Sequence, residues 1–207
     1  MNTLSRYWAS WATPARLAVL SVVLLAVSLA MHGTLTSTML RHMLVHIPLI
    51  LFSGIAAGLA LGLGGTSASG TAGLFRKVNE FGLPGLLLVS LIGAYWMIPK
   101  ALDEVLLSPW AAFSKFASVF IAGVVLVDSL KRANTIIKLF FVGNFSWMVA
   151  IVGVLYQENT ARLCNFYLLD DQEATGIALV VLAVVLPVIW IVTELKTIRH
   201  FLRAGSS

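Results

Sequence analysis

The sequence is short of charged residues and of cysteine. Only 11% of its 207 residues are charged, against 59% that are hydrophobic, and the mean hydropathy is +0.93. A soluble domain carries roughly a quarter of charged residues, so the composition excludes an ordinary soluble protein and indicates a surface that faces lipid. The single cysteine, Cys164, excludes an intrachain disulfide and a zinc site built from several thiolates.

Long polar segments are also missing. Short polar segments separate six apolar runs. The runs lie at about 15–33, 39–63, 83–99, 110–130, 137–156 and 174–195. Each is long enough to cross a bilayer as an α-helix. The sequence therefore predicts an all-α fold, a polytopic membrane bundle of about six transmembrane helices that forms a single domain over residues 1–207.

Basic residues cluster at alternate connections of this bundle. The positive-inside rule then predicts that both termini are cytoplasmic. It also assigns the net charge of +5 to membrane orientation rather than to nucleic-acid binding. The basic residues are Arg6, Arg16, Arg76, Lys77, Lys131, Arg132, Lys138, Lys196, Arg199 and Arg203, and the acidic ones on the opposite side are Asp103, Glu104, Glu158, Asp170, Asp171 and Glu173.

Donor groups suited to a soft metal recur at the start of the second run. Met39, His42, Met43 and His46 are spaced i, i+3, i+4, i+7, which places two thioethers and two imidazoles on one helical face. This combination suits copper, Cu(I) above all, and His32 at the end of the first run reaches the same level. The spacing equally suits histidines that form hydrogen bonds between helices, so both interpretations stay open.

Small residues follow on nearly the same stripe of the second run. Gly54, Gly58 and Gly62 are each four residues apart, a pattern that lets another helix approach closely. The histidine face is therefore expected to point at protein rather than at lipid.

Further polar groups fall near the same outer end of the predicted bundle. Asp103, Asp171 and Gln172 lie at the mouths of spans, and Asp103 is a candidate acceptor for a histidine N–H. Lys115 lies early in the fourth span and Asp128 late in it. An ionisable group within a span indicates a functional role by default, but each of these side chains also fits one that extends to the nearest interface. Nothing resembles a hydrolytic triad or paired catalytic carboxylates, so the protein is not predicted to be an enzyme.

Three short motifs occur in a characteristic order. They are His42-Met43-Leu44-Val45-His46, then Trp96-Met97-Ile98-Pro99 followed by Asp103, then Tyr156 followed by Asp171-Gln172-Glu173-Ala174-Thr175-Gly176. Over about residues 39–190 the chain thereby resembles the multi-spanning CtaG family, which is linked to cytochrome c oxidase assembly. The resemblance implies functional roles for His42, His46, Trp96, Pro99, Asp103, Asp171, Gln172 and Gly176.

Lys115 departs from the pattern of that family. The family tends to place a further histidine early in the helix after the Trp-Pro motif, where this chain has Phe113-Ser114-Lys115-Phe116. A protonated lysine cannot ligate metal. Either His32 or Met39 replaces the missing ligand, or the chain has kept the scaffold and lost the metal.

The resemblance implies a protein of the bacterial cytoplasmic (inner) membrane that assists the assembly of a haem-copper oxidase by binding or delivering copper at its outer face. Its expected partners are oxidase subunits and the lipid bilayer, not nucleic acid. The alternative is a non-catalytic accessory subunit of a respiratory oxidase that uses the same residues structurally. A haem protein that pairs His32 with His42 or His46, or a small-solute transporter, forms a third class.

Overall fold

The computed structural model describes residues 13–63, 77–159 and 161–204, with side chains described up to residue 194. Arg6 and Arg76, which entered the predicted orientation, lie outside the described residues. The described chain is helical and contains no strand, so the predicted all-α class is confirmed. In chain order the helices are α1 Pro14–Ala30, α2 His32–Leu35, α3 Met39–Ala60, α4 Leu83–Trp96, α5 Pro99–Leu107, α6 Pro109–Arg132, α7 Thr135–Glu158 and α8 Leu169–Ala204.

Capping residues and prolines mark where the helices begin. The side chains of Thr13, Thr38 and Asn134 accept hydrogen bonds from backbone N–H groups three residues on, at the starts of α1, α3 and α7. Pro99 opens α5 at a position where its missing N–H costs nothing. Gly82 precedes α4 with a φ of 74°, a conformation that favours glycine.

Four helices are long and apolar enough to cross a membrane. They are α3, α6, α7 and the segment Leu169–Glu194 of α8. The helices α4 and α5 meet at a bend of 74° and count as a fifth span when taken together. At 17 residues α1 is shorter than these spans. The described chain therefore has four to five candidate spans.

The chain divides into two compact units, Met1–Arg132 and Ala133–Ser207. In the first unit α6 packs against α3, α4 and α5, while α1 packs against α3. The apolar core of this unit contains Ile50, Trp96, Ala101, Val105 and Val119. In the second unit α7 packs along α8. A single domain over residues 1–207 stays a prediction.

Glycines allow α3 and α6 to approach at backbone distance. A Cβ added to Gly54 would overlap the Phe120 carbonyl oxygen, and one added to Gly58 would lie 3.0 Å from the Val124 carbonyl oxygen. Gly62 differs, because it lies beyond the end of α3 with a φ of 65° and none of the described residues places an atom within 4 Å of its Cβ position. Its predicted packing role does not fit this position, where a left-handed turn explains the glycine.

Candidate functional site

A π-helical turn carries the two histidines of the first motif. Residues His42–His46 form this turn within α3, and the Ile47 N–H donates to the His42 carbonyl oxygen five residues before it. Pro48 follows and has no N–H to donate, so the regular α-helical ladder is also interrupted there. Single π turns inside α-helices are frequent at functional sites. Both imidazoles are 0% exposed, which makes this turn a polar feature of the interior.

Lys115 of α6 joins the two imidazoles. Its Nζ lies 2.9 Å from His42 Nε2 and 3.1 Å from His46 Nδ1, and its side chain is 0% exposed. An N–H of the lysine amine that points at an imidazole nitrogen donates to the lone pair of that nitrogen, so one amine can hold both rings. The interpretation of Lys115 as a side chain that extends to the interface is wrong, because the amine ends between two helices.

His32 and Phe116 complete the cluster. The His32 and His46 ring centroids lie 5.2 Å apart, and the Phe116 ring meets His46 edge-on at 5.4 Å. The Lys115 Nζ lies 5.4 Å from the centroid of the Phe116 ring, close enough for a cation–π contact. We call His32, His42, His46, Lys115 and Phe116 the histidine–lysine cluster. Its members come from α2, α3 and α6.

Two ring nitrogens of the cluster are buried without a hydrogen bond of ordinary geometry. They are His32 Nδ1 and His46 Nε2. The main chain of Ser28 still forms a weak hydrogen bond with His46. A buried polar atom without a partner costs roughly 1–3 kcal/mol, so the deficit falls on His32, whose Nδ1 has no such contact with the described residues.

The methionines predicted as soft donors lie on the same stretch of α3. Met39 is 0% exposed and Met43 is 7% exposed. Both thus line the interior beside the histidines, where thioethers fill irregular space well. The structure places them together with His42 and His46 on the buried side of the helix, as the spacing predicts.

The charge of Lys115 is not balanced by a nearby carboxylate. The ion pair between Arg132 and Asp128, at 2.8 Å, lies near the other end of α6, and no carboxylate of the described residues pairs with Lys115. A buried cation without a counter-ion is costly. Two imidazole lone pairs and an aromatic face stabilise this one instead.

The Trp-Pro motif packs beside the cluster rather than within it. Trp96 is 3% exposed, and its Nε1 donates to Ser118 Oγ at 2.9 Å, which ties the end of α4 to α6. Pro99 opens α5, and Asp103 lies buried on that helix at 6% exposure. Ser118 follows Lys115 on α6 by less than one turn. The motif therefore fixes the helix that carries the lysine.

The third motif belongs to the second unit. The Gln172 side chain accepts from the Leu163 N–H at 2.8 Å and donates to the Tyr156 carbonyl oxygen at 3.1 Å. It thereby ties the segment before α8 to the end of α7. Gly176 lets these two helices touch, since an added Cβ would lie 2.6 Å from the Gly153 carbonyl oxygen. Asp171 accepts from the Thr175 hydroxyl through its backbone carbonyl, at 2.6 Å.

A second polar network lies near the opposite end of α6. Arg132 Nε donates to both carboxylate oxygens of Asp128, at 2.9 and 2.8 Å. Asn79 donates to Asp128 Oδ2 and to Ser129 Oγ, both at 3.0 Å, and accepts from the Gly85 N–H. The i, i+4 spacing indicates the pair of Asp128 and Arg132. No sequence signal indicates the contacts of Asn79 with α6, because Asp128 and Ser129 are 49 and 50 residues away from it.

No group of three or more histidine, cysteine, aspartate and glutamate side chains is arranged to hold one metal ion in the part of the chain that the structure describes. No protein-family model matches the chain, and neither a curated protein nor a solved structure matches it. The resemblance to the CtaG family stays a prediction from the sequence motifs.

Proposed function

We propose that this chain is a multi-pass protein of a bacterial cytoplasmic membrane that assists the assembly of a haem-copper oxidase. The observation that carries the proposal is the histidine–lysine cluster, because ionisable groups inside membrane spans are costly and mark function by default. Residues that are far apart in sequence meet there, with Lys115 within 3.1 Å of two imidazole nitrogens. The link to an oxidase rests on the three sequence motifs.

Six spans with both termini in the cytoplasm are part of the proposal. The bent pair α4 and α5 supplies one span beside the four long helices. The helix α1, at 17 residues, reaches the lower limit for crossing a thin or locally thinned bilayer. The basic residues Lys77, Lys131, Arg132 and Lys138 then fall on one side, as the positive-inside rule requires.

Copper does not fit the cluster as it is folded. A metal held by two imidazoles lies about 2.0–2.1 Å from each nitrogen, along its lone pair. The lone pairs of His42 Nε2 and His46 Nδ1 already point at Lys115 Nζ, at 2.9 and 3.1 Å. An ion on those two lines would lie only about 1 Å from Nζ. We therefore propose assistance in assembly without copper bound at this cluster.

A stable, non-catalytic accessory subunit is the second candidate, and the same lysine favours it. Lys115 binds α6 to α3 through hydrogen bonds in a site that water does not reach. Such a cluster holds helices in one arrangement, which is the role expected of buried polar groups in a structural subunit.

Purification of the tagged full-length chain in mild detergent from its native membranes tests both candidates. We expect oxidase subunits to copurify with the chain. The molar ratio of oxidase to chain should be below one for an assembly protein and equal to one for a stable subunit. Deletion of the gene should lower the amount of active oxidase in either case. A deletion strain with unchanged oxidase content, together with a purified chain free of oxidase subunits, would contradict the proposal.

A further inference from the structure

We infer that α7 binds the α7 helix of a second copy of this chain, through the side that faces away from α8. The contact is centred on Asn144 and Trp147, whose polar groups lie in the middle of the span. The inference goes beyond the proposed function, because it requires the chain to cross a membrane but not to meet an oxidase.

One side of α7 packs against α8, and the opposite side is exposed. The buried side contains Ser146, Val149, Gly153 and Tyr156. The exposed residues alternate in spacing between four and three, which is the pattern of two helices that pack at a shallow angle. We call this stripe the α7 seam; it consists of Phe140, Asn144, Trp147, Ile151, Val154 and Glu158.

Two hydrogen-bonding side chains of the seam lie at a depth where lipid has no polar groups. Asn144 and Trp147 follow Thr135 by nine and twelve residues in a candidate span of 24 residues. They therefore lie about 14 and 18 Å along a helix of about 36 Å. Both are exposed, and neither side chain forms a hydrogen bond with a residue that the structure describes. A polar group left without a partner in hydrocarbon is costly, which favours a polar helix over lipid as the neighbour.

A second copy of the chain supplies the matching polar groups at the required depth. All copies carry the same basic residues and insert with the same orientation, so a two-fold axis along the membrane normal brings Asn144 opposite Asn144. An asparagine amide contains both donors and an acceptor, so the two amides can satisfy each other. The Trp147 N–H, less than one turn further on, then has an amide oxygen as its acceptor.

The seam also contains a hole of the kind that receives a side chain from a facing helix. A groove of about 330 Å³ is lined by Trp147, Ala150, Ile151, Val154, Leu155 and Glu158. The first four are spaced i, i+3, i+4, i+7, as are the residues that form one hole in knobs-into-holes packing. Glu158 is the last residue of α7, where water and salt screen the like charge of the other copy.

Cysteine crosslinking in native membranes tests the inference on the full-length chain. Ile151→Cys places a thiol on the seam, and Ile177→Cys places one on α8 as the matched control. The two positions are 51% and 50% exposed, and they lie about 11 and 12 Å from the outer ends of their helices. A disulfide requires Cα atoms within about 7 Å of each other. With a membrane-permeant oxidant, Ile151→Cys should therefore form a species of twice the chain mass, whereas Ile177→Cys and the wild type, whose Cys164 is buried, should not.

The role of the amide is measured by energy transfer between copies fused to donor and acceptor fluorescent proteins, in vesicles of increasing lipid content. Asn144→Leu should raise the dissociation constant of the dimer by about tenfold. Leucine faces lipid without cost in a single copy, so weaker association does not reflect loss of folding. Asn144→Gln keeps a self-complementary amide and should stay within about threefold of the wild type.

Phe140→Cys, near the other end of the seam, is crosslinked in parallel in case Ile151→Cys does not fold. Disulfide yields on the seam that do not exceed that of Ile177→Cys would overturn the inference. So would disulfides that join the seam to a different protein only, or a dissociation constant that Asn144→Leu leaves unchanged. None of these measurements involves an oxidase, so this inference and the proposed function fail separately.

Discussion

The backbone contact between α3 and α6 makes a sharp prediction for Gly54→Ala. A Cβ at this position overlaps the Phe120 carbonyl oxygen and lies 3.1 Å from the Gly123 Cα. Both are backbone atoms of α6, so no side-chain rotation relieves the contact. Restoring van der Waals distance requires α3 and α6 to separate by about 1 Å, a gap that forfeits a quarter to a half of the dispersion energy across the interface. We expect a loss of about 3 kcal/mol in the free energy of unfolding.

The same separation reaches the histidine–lysine cluster. Lys115 and its imidazole partners lie on the two helices that move apart, and bonds of 2.9 and 3.1 Å do not survive such a displacement as hydrogen bonds. Unfolding in a detergent series, followed by tryptophan fluorescence or circular dichroism, measures the loss. Gly143→Ala is the matched control, because no atom in the described part of the chain lies within 4 Å of its Cβ position on α7. Equal stability of the two variants, within about 0.5 kcal/mol, would refute the packing argument.

Two further substitutions test polar contacts away from the cluster. Asp128→Asn removes the charge that pairs with Arg132, whose side chain is 17% exposed and can still reach water. We therefore expect the free energy of unfolding to fall by about 1–3 kcal/mol in the same assay. High salt should reduce this loss less than it reduces the effect of breaking a surface ion pair. Gln172→Leu removes two hydrogen bonds that hold residues 161–168. It should speed amide hydrogen exchange in this segment by tenfold or more, about 1.4 kcal/mol or greater. Gln157→Leu, which loses one bond to the carbonyl of the preceding turn, should leave that exchange unchanged.

The helical class and much of the cluster could be predicted because they depend on local patterns. Apolar runs of sufficient length specify spans wherever they occur. The spacing of Met39, His42, Met43 and His46 places them on one face, and all four are buried. Gly54 and Gly58 likewise indicate a close helix partner. The identity of that partner, α6, depends on tertiary packing and has no local signal.

The role of Lys115 could not be predicted for a related reason. A lysine near the end of a span has two stable solutions, an extended path to water or a buried partner, and its own sequence neighbours fit both. Only the approach of α3 to α6, permitted by Gly54, brings His42 and His46 within reach of its amine. The bend between α4 and α5 also escaped prediction, although Pro99 marks its position.

The π turn of α3 also changes the direction in which the residues after it face around the helix axis. In an uninterrupted α-helix each residue advances by about 100°, so Gly58 would point roughly 160° away from His42. The expectation that the glycines follow the histidines on nearly one stripe is therefore wrong for a regular α-helix. One additional residue absorbed in the turn removes about 100° of this drift. His42 and Gly58 then both face α6, where the first meets Lys115 and the second meets the Val124 backbone. A single amino acid of extra length thus lets one span present a polar contact and a close-packed seam to the same neighbour.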